Sequence, residues 1–327
     1  MIKSLPRPTL TKTNQKKLKL VAIASVLILG SILFLLTGPQ TLDLVESRVE
    51  SGNLPQEAIK LEGTVLAQAS EPKLELVSAN TPEPNLSAVA AIAYDFDTDK
   101  IMYQKNVHTH MAPASTTKIM TAIVASEHFE SADLLTVPTE AVVAGSKMGL
   151  LPGETLTFRS LLYGMMLNSG NDAAFTIAMN YPGGYDAFVS KMNTKVADLG
   201  LKDTHFDNPA GFDSPNHYSS AFDLLFIGKE ATKNAKLGRV FSTKETSVTS
   251  VSGTQIHVLK NLNKLLGEDG VLGIKTGTTE MAGESLVGLV ERNGRTILTV
   301  MLNSNDRFGE TKELLDWIFG NYSWQLY

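Results

Sequence analysis

The chain of 327 residues contains no cysteine. That absence excludes disulfides, thiolate catalysis, zinc sites built on cysteine and a lipid anchor attached to a cysteine. It also lacks any strong excess of one charge. The net charge is −5, and no basic patch stands out beyond the first twenty residues, so nothing points to a nucleic-acid partner. No H-E-x-x-H word occurs, which argues against a zinc peptidase. His108 and His110 flank Thr109, but no carboxylate and third histidine stand at a recognisable metal-ligand spacing, so both read as surface histidines. The expectation is a protein with no metal and no cofactor. What remains is an ordinary globular balance, 43% hydrophobic and 19% charged, with enough apolar material for one large domain or two smaller ones.

The N-terminus departs from that balance. Residues 1–19 carry Lys3, Arg7, Lys12, Lys16, Lys17 and Lys19 and no acid. Residues 20–36, LVAIASVLILGSILFLL, are uncharged, and the next charge is Asp43. A helix needs about 17–25 apolar residues to cross a bilayer, so this run suffices. Basic residues before it and acidic ones after it place the N-terminus in the cytoplasm and the rest outside. No small-x-small cleavage site follows the run directly, which favours a retained anchor over a cleaved signal peptide. The expected layout is a basic cytoplasmic segment over 1–19, a single-pass membrane anchor over 20–37, a stem over 38–83 with Pro82 and Pro84 close together, and an extracytoplasmic domain over 84–327.

Within the domain, SAVAAIAYDF and KIMYQ read as strands joined by a turn at Asp97-Thr98-Asp99. Helices are expected over about 115–128, 160–179 and 185–199. Near the end, ESLVGLVE and TILTVMLN flank Asn293-Gly294, a strong hairpin signal, and ETKELLDWIF is apolar at helical spacing. Strands at both ends with helices between them suggest an α/β sandwich whose terminal strands share one sheet.

Three short motifs stand in order: Ser115-Thr116-Thr117-Lys118, Ser169-Gly170-Asn171 and Lys275-Thr276-Gly277. In the first, Lys118 lies one helical turn from Ser115, beside its hydroxyl. Pro113 suits a helix start, and the helix dipole favours negative charge developing there. A lysine serves as a base only if burial and nearby cations depress its pKa, and Lys275 is a candidate cation. Ser169 could relay a proton between the lysines and a leaving amine, and Asn171 could bind a substrate amide or orient Lys118. The third motif could lie on a strand edge and pair with an extended peptide. Lys275 and Thr276 would then hold a terminal carboxylate, Gly277 would permit close approach, and the N–H groups of Ser115 and Thr278 would form an oxyanion hole. Met165 and Met166 read as core, and Asp172 as a cap or an ion-pair partner.

S-x-x-K, S-D-N and K-T-G together mark penicillin-binding proteins and class A β-lactamases, with SGN replacing SDN here. The surrounding words PASTTKIMTAIVA, ETLTFRSLLYGMMLNSGNDAA, FDNPAGFDSPNHYSS and GIKTGTTEMAGESLVGLV resemble the low-molecular-mass D-alanyl-D-alanine carboxypeptidases, the S11 serine peptidases, over roughly residues 84–320. The resemblance implies an α+β, penicillin-binding-protein-like fold, with a helical cluster packed on a five-stranded antiparallel sheet. It also implies an acyl-enzyme on Ser115, with Lys118 as proton acceptor and Ser169, Asn171 and Lys275 around it. The implied substrate is the peptidoglycan stem peptide, and β-lactams are the implied inhibitors. Thr278 stands where the family often has histidine, Asn208-Pro209-Ala210-Gly211-Phe212 replaces a word resembling NPHGL, and Phe222 replaces a common arginine. Arg307 lies where the family tends to place basic residues after the last strand, and is expected to help bind the carboxylate. Many relatives carry a further β-rich domain and a C-terminal amphipathic helix. The expectation here is a catalytic domain without them, anchored from its N-terminus. A β-lactamase is disfavoured because no E-x-x-L-N word lies between Asn171 and Lys275. A DD-endopeptidase that cuts cross-links would use the same chemistry, and sequence does not separate the two.

Overall fold

The computed structural model describes residues 74–79 and 81–326. The expected cytoplasmic segment and membrane anchor lie outside the described residues. Among those described, no helix is long and apolar enough to cross a membrane. The described residues fall within one compact unit, which spans Gln68–Tyr327.

Its centre is a five-stranded antiparallel sheet built from both ends of the domain. Strands β2 (Ala90–Asp95) and β3 (Lys100–Lys105) come first in the chain; β8 (Val271–Thr279), β9 (Gly283–Arg292) and β10 (Arg295–Ser304) come last. Their order across the sheet is β3-β2-β10-β9-β8, so β8 is an edge strand. Asn293 and Gly294 turn β9 into β10 with φ of 55° and 70°, the left-handed pair that a type I′ hairpin requires. The alternation of side chains loads both faces. Ile92, Tyr94, Val287, Leu298 and Val300 point into the larger core cluster, while Ala91, Ala93, Leu286, Val290 and Met301 point into a second.

The larger cluster is covered by helices α1 (Lys118–His128), α2 (Phe158–Leu167), α3 (Asn171–Met179), α4 (Gly184–Asp198), α5 (Ala221–Thr232) and α6 (Ala235–Phe241). The opposite face is covered by α7 (Arg307–Asn321) through Leu314, Leu315 and Ile318. Glu310 of α7 accepts from the backbone N–H groups of Ser87 and Ala88 and from the Ser304 hydroxyl, fixing the entry to β2. The layout is the expected helical cluster on a five-stranded sheet.

Two expectations change. The single helix over 160–179 is two helices, broken where Ser169 takes φ of 56°. Residues 74–78, inside the segment read as stem, form strand β1 (Leu74–Ser78), which pairs with β11 (Tyr322–Leu326) in a separate antiparallel ribbon. Two-stranded antiparallel pairs β4–β5 (Leu134–Thr136, Thr155–Thr157) and β6–β7 (Glu245–Thr249, Ile256–Lys260) complete the unit.

Candidate active site

Ser115 sits in a 3₁₀ turn, Ala114–Thr117, and Lys118 is the first residue of α1. In a 3₁₀ turn residues i and i+3 eclipse one another, so the lysine is set directly over the serine. The helix expected to start at 115 therefore begins three residues later, and this turn makes the Ser–Lys pair. Thr116 closes it by donating from both its N–H (3.2 Å) and its hydroxyl (2.6 Å) to the Pro113 carbonyl. Ala114 is held at φ of 48°, an unfavourable setting for a residue with a Cβ and one found at constrained functional sites.

The Lys118 amine is completely buried and has three oxygens around it: Ser115 Oγ at 2.9 Å, Asn171 Oδ1 at 2.8 Å and the Ala210 carbonyl at 2.6 Å. Burial, reinforced by the charge of Lys275, holds its pKa well below the ordinary lysine range, against a weaker opposing pull from Asp172. Asn171 opens α3 and donates from Nδ2 to the Ala144 carbonyl at 2.9 Å, which fixes its amide so that Oδ1 faces the lysine. Asp172 does not reach the centre. Its carboxylate accepts from the N–H groups of Met148, Gly149 and Leu150 at 2.8–3.0 Å, strapping the 144–150 segment over the SGN turn. Ser169 is buried in that turn, two residues from Asn171.

Strand β8 lies along the nucleophile turn. A Cβ at Gly277 would stand 3.1 Å from Ala114 Cβ, the Pro113 carbonyl and the Ser115 nitrogen, so only glycine lets the strand come this close without a shift. Lys275 is buried, and burial together with the neighbouring Arg307 pushes its pKa down to about 7. Arg307 donates through Nη1 to the Gly277 carbonyl at 2.8 Å and to the Thr278 hydroxyl. The arginine is thus held against the third motif, and Thr278 is itself bound to it. The structure brings Ser115, Lys118, Asn171, Lys275, Gly277, Thr278 and Arg307 to one junction of sheet and helices.

The motifs do not name Ala210. It contributes through its backbone, which is placed by Asn208. Asn208 Oδ1 accepts from the N–H groups of Ala210 (3.1 Å), Gly211 (2.7 Å) and Phe212 (3.0 Å), curling the loop so that the Ala210 carbonyl meets Lys118. The Asn-Pro-x-Gly turn was the available signal. Gly211 has φ of 91°, and a Cβ there would overlap the Ala114 carbonyl. Gly211→Ala is expected to cost about 2–3 kcal/mol of stability and to slow reaction at Ser115, because Ala114 must move. Thermal unfolding and labelling of Ser115, measured together, check this. His108 and His110 both lie against Asp203, at 2.8 and 3.2 Å, as a surface cluster. Phe222, at the departure noted above, packs on His108 and Phe226.

A model of the D-alanyl-D-alanine carboxypeptidases, the S11 peptidases, matches residues 77–306. The chain belongs to this family. It is 33% identical over 252 residues to the D-alanyl-D-alanine carboxypeptidase DacF of Bacillus subtilis, covering 74% of this chain and 64% of that one. Its identity to the Streptomyces K15 D-alanyl-D-alanine carboxypeptidase is 35% over 240 residues, covering 68% and 82%. For DacA of Escherichia coli K12 the match is 32% over 254 residues, covering 72% and 62%. The chain therefore spans a little under two thirds of the length of the Bacillus and Escherichia relatives. The crystal structure of the Streptomyces K15 DD-transpeptidase superposes with a TM-score of 0.70 at 33% identity, covering 73% of this chain and all of that one. That superposition agrees with the fold that the resemblance implied.

Proposed function

We propose that this chain is a serine D-alanyl-D-alanine carboxypeptidase that releases the terminal D-alanine of a peptidoglycan stem pentapeptide through an acyl-enzyme on Ser115. The observation that carries the reading is the set of partners around Lys118. A neutral amine has two N–H donors and one lone pair. Asn171 Oδ1 and the Ala210 carbonyl can only accept, so they take the two N–H groups. The lone pair is left for the Ser115 hydroxyl at 2.9 Å. Burial, which lowers the pKa of the amine and so favours its uncharged form, completes a general base beside its nucleophile.

In the proposed reaction the substrate adds to the free edge of β8 as an extended strand. Lys275, Thr276 and Arg307 hold its carboxylate, and the N–H groups of Ser115 and Thr278 receive the oxyanion. Ser115 Oγ forms a bond to the penultimate carbonyl carbon as Lys118 takes its proton. The C–N bond then breaks, and the proton passes to the departing D-alanine amine by way of Ser169. Water, deprotonated in turn by Lys118, hydrolyses the ester. Penicillins would acylate the same serine and leave slowly. The basic segment over 1–19 and the apolar run over 20–36 support a domain tethered to the outer face of the cell membrane.

The test is a digest of pentapeptide and of cross-linked dimer, with and without an amine acceptor, analysed by mass, alongside penicillin turnover. Free D-alanine from pentapeptide and a long-lived penicilloyl-enzyme are expected. Cleavage confined to the dimer would make the chain an endopeptidase, transfer confined to the amine a transpeptidase, and fast penicillin hydrolysis a β-lactamase.

A further inference from the structure

His217 belongs to none of the three motifs, yet it is buried against the turn that carries the first. Its Nε2 lies 2.8 Å from Thr117 Oγ1, and the backbone N–H of Asp207 points at its Nδ1 at 2.9 Å. A backbone N–H can only donate, so Nδ1 is the acceptor. The proton of the neutral ring then sits on Nε2 and is donated to Thr117. Thr117 is the residue before Lys118 and is itself fully buried. The other side of the ring holds the start of the loop in which Asn208 sets the Ala210 carbonyl on the Lys118 amine. Asn208 Nδ2 also stands 3.4 Å from His217 Nδ1. One imidazole thus joins the two segments that surround the lysine, the nucleophile turn and the 207–212 loop. The charged and titratable groups facing it are Asp207, His205, Asp213 and Lys118; burial, aided by His205 and Lys118, prevails over Asp207 and Asp213 and pushes its pKa down to about 4, which keeps the ring neutral near pH 7.

We propose that His217 is a positioning residue, which holds the Ser115–Lys118 pair in register with the Ala210 carbonyl through its Nε2–H bond to Thr117 and its Nδ1 bond to the Asp207 backbone. The proposal rests on the acyl-enzyme reading above. A ring in this place does not touch substrate. It decides whether the lysine lone pair points at the serine, and a displacement of about 1 Å at such a site can cost about 100-fold in rate.

The experiment follows acylation by a fluorescent penicillin under rapid mixing, separating the initial binding constant from the acylation rate, with thermal midpoints measured in parallel. His217→Leu keeps the bulk without the bonds, His217→Gln keeps a donor toward Thr117, and Thr117→Val removes only the accepting hydroxyl. Expected are an unchanged binding constant throughout, a loss of about 100-fold in acylation rate for His217→Leu, recovery of at least about tenfold of it in His217→Gln, and a loss of about tenfold for Thr117→Val. The double variant His217→Leu with Thr117→Val should be no slower than His217→Leu alone. Equal rates per folded molecule for the Leu and Gln variants, or a full rate for Thr117→Val, would overturn the positioning role while leaving the enzymatic reading intact. If His217→Leu does not fold, Thr117→Val alone still decides. Failure of the wild-type chain to react with penicillin would overturn the enzymatic reading and this proposal with it.

Discussion

Ser115→Ala should abolish both penicillin labelling and D-alanine release, a loss on the order of 10⁶-fold in turnover. Lys118→Ala should lose about 10²–10⁴-fold, the usual contribution of a general base. The sharper expectation concerns the pair. In the step that releases D-alanine, Lys118 works by way of the Ser115 hydroxyl, 2.9 Å away, and the water it later activates attacks an ester that forms only on Ser115, so once the serine is gone the lysine has nothing to activate. The double variant should therefore be no worse than Ser115→Ala, as in groups that act as a unit. The measurement is single-turnover release of D-alanine from pentapeptide by the three variants. An additive loss would mean that Lys118 acts on something other than Ser115, and the proposed mechanism would fail. The same geometry sets the direction of the pH profile. Lys118 is a base only when uncharged, so acylation should fall as pH drops through its depressed pKa.

Lys275→Met should make the protein more stable at neutral pH while damaging catalysis. The Lys275 amine is buried with one hydrogen bond, to the Thr276 carbonyl at 3.0 Å, and with Arg307 nearby as a like charge. Its folded pKa of about 7 lies below the ordinary lysine value of 10.5, so between those pH values the unfolded chain binds more protons than the folded one. Stability then rises with pH across that window, and the cost of the buried charge is felt in full below about pH 7. Replacing such a group with an apolar side chain of similar length gains about 1–4 kcal/mol, or about 2–4 °C per kcal/mol in a domain of this size. The gain should fade above about pH 10.5, where both states hold the neutral amine. Since the charge of Lys275 helps depress the Lys118 pKa, the acid limb of acylation should move to higher pH in the variant. Melting curves at pH 6.5 and pH 10.5, with acylation profiles beside them, test both halves. A lower midpoint at pH 6.5 would refute the assignment of Lys275 as a costly buried cation.

The parts of the site that were legible in the sequence are those in which a side chain acts locally. The three-residue spacing of Ser115 and Lys118 needs only one turn, and Asn293-Gly294 announces its hairpin because both residues tolerate positive φ. Arg307, expected on a resemblance alone to help bind the carboxylate, lies against the Gly277 carbonyl of the third motif. What could not be read depends on tertiary contact. The helix read over 160–179 runs through Asn168-Ser169-Gly170-Asn171-Asp172, a polar run of turn formers that also reads as a helix-interrupting turn, and the pattern does not decide between the two. The break is set by packing, since Gly170 lies in a niche where a Cβ would be 3.0 Å from the Gly164 carbonyl and the Met148 nitrogen. The Ala210 carbonyl acts through backbone, which carries no residue-specific signature. The hairpin β6–β7 has exposed positions filled by Ile256 and Val258, against the usual inward-apolar alternation, and so carries no clear strand signal in the sequence. β1, LELVS, is a run of only five residues in a segment whose prolines and polar residues read as linker, and its partner β11 lies at the far end of the chain, so its pairing is a tertiary contact.

That ribbon of β1 and β11 also has a mechanical meaning. Leu74 faces Leu326 at its outer end, and Ser78 faces Tyr322 at its inner end. Both strands join the rest of the unit at that inner end, β1 through Ser78 and β11 through Tyr322. A ribbon of two strands is a weak element, so it yields before the strands that carry Lys275 and Gly277. Behind it stand firmer fastenings, the indole of Trp324 on Asp95 at 2.6 Å and the hydroxyl of Tyr322 on the Met102 carbonyl at 2.8 Å. The two strands of the ribbon can therefore part without loosening the five-stranded sheet, to which β11 stays fastened through Trp324 and Tyr322.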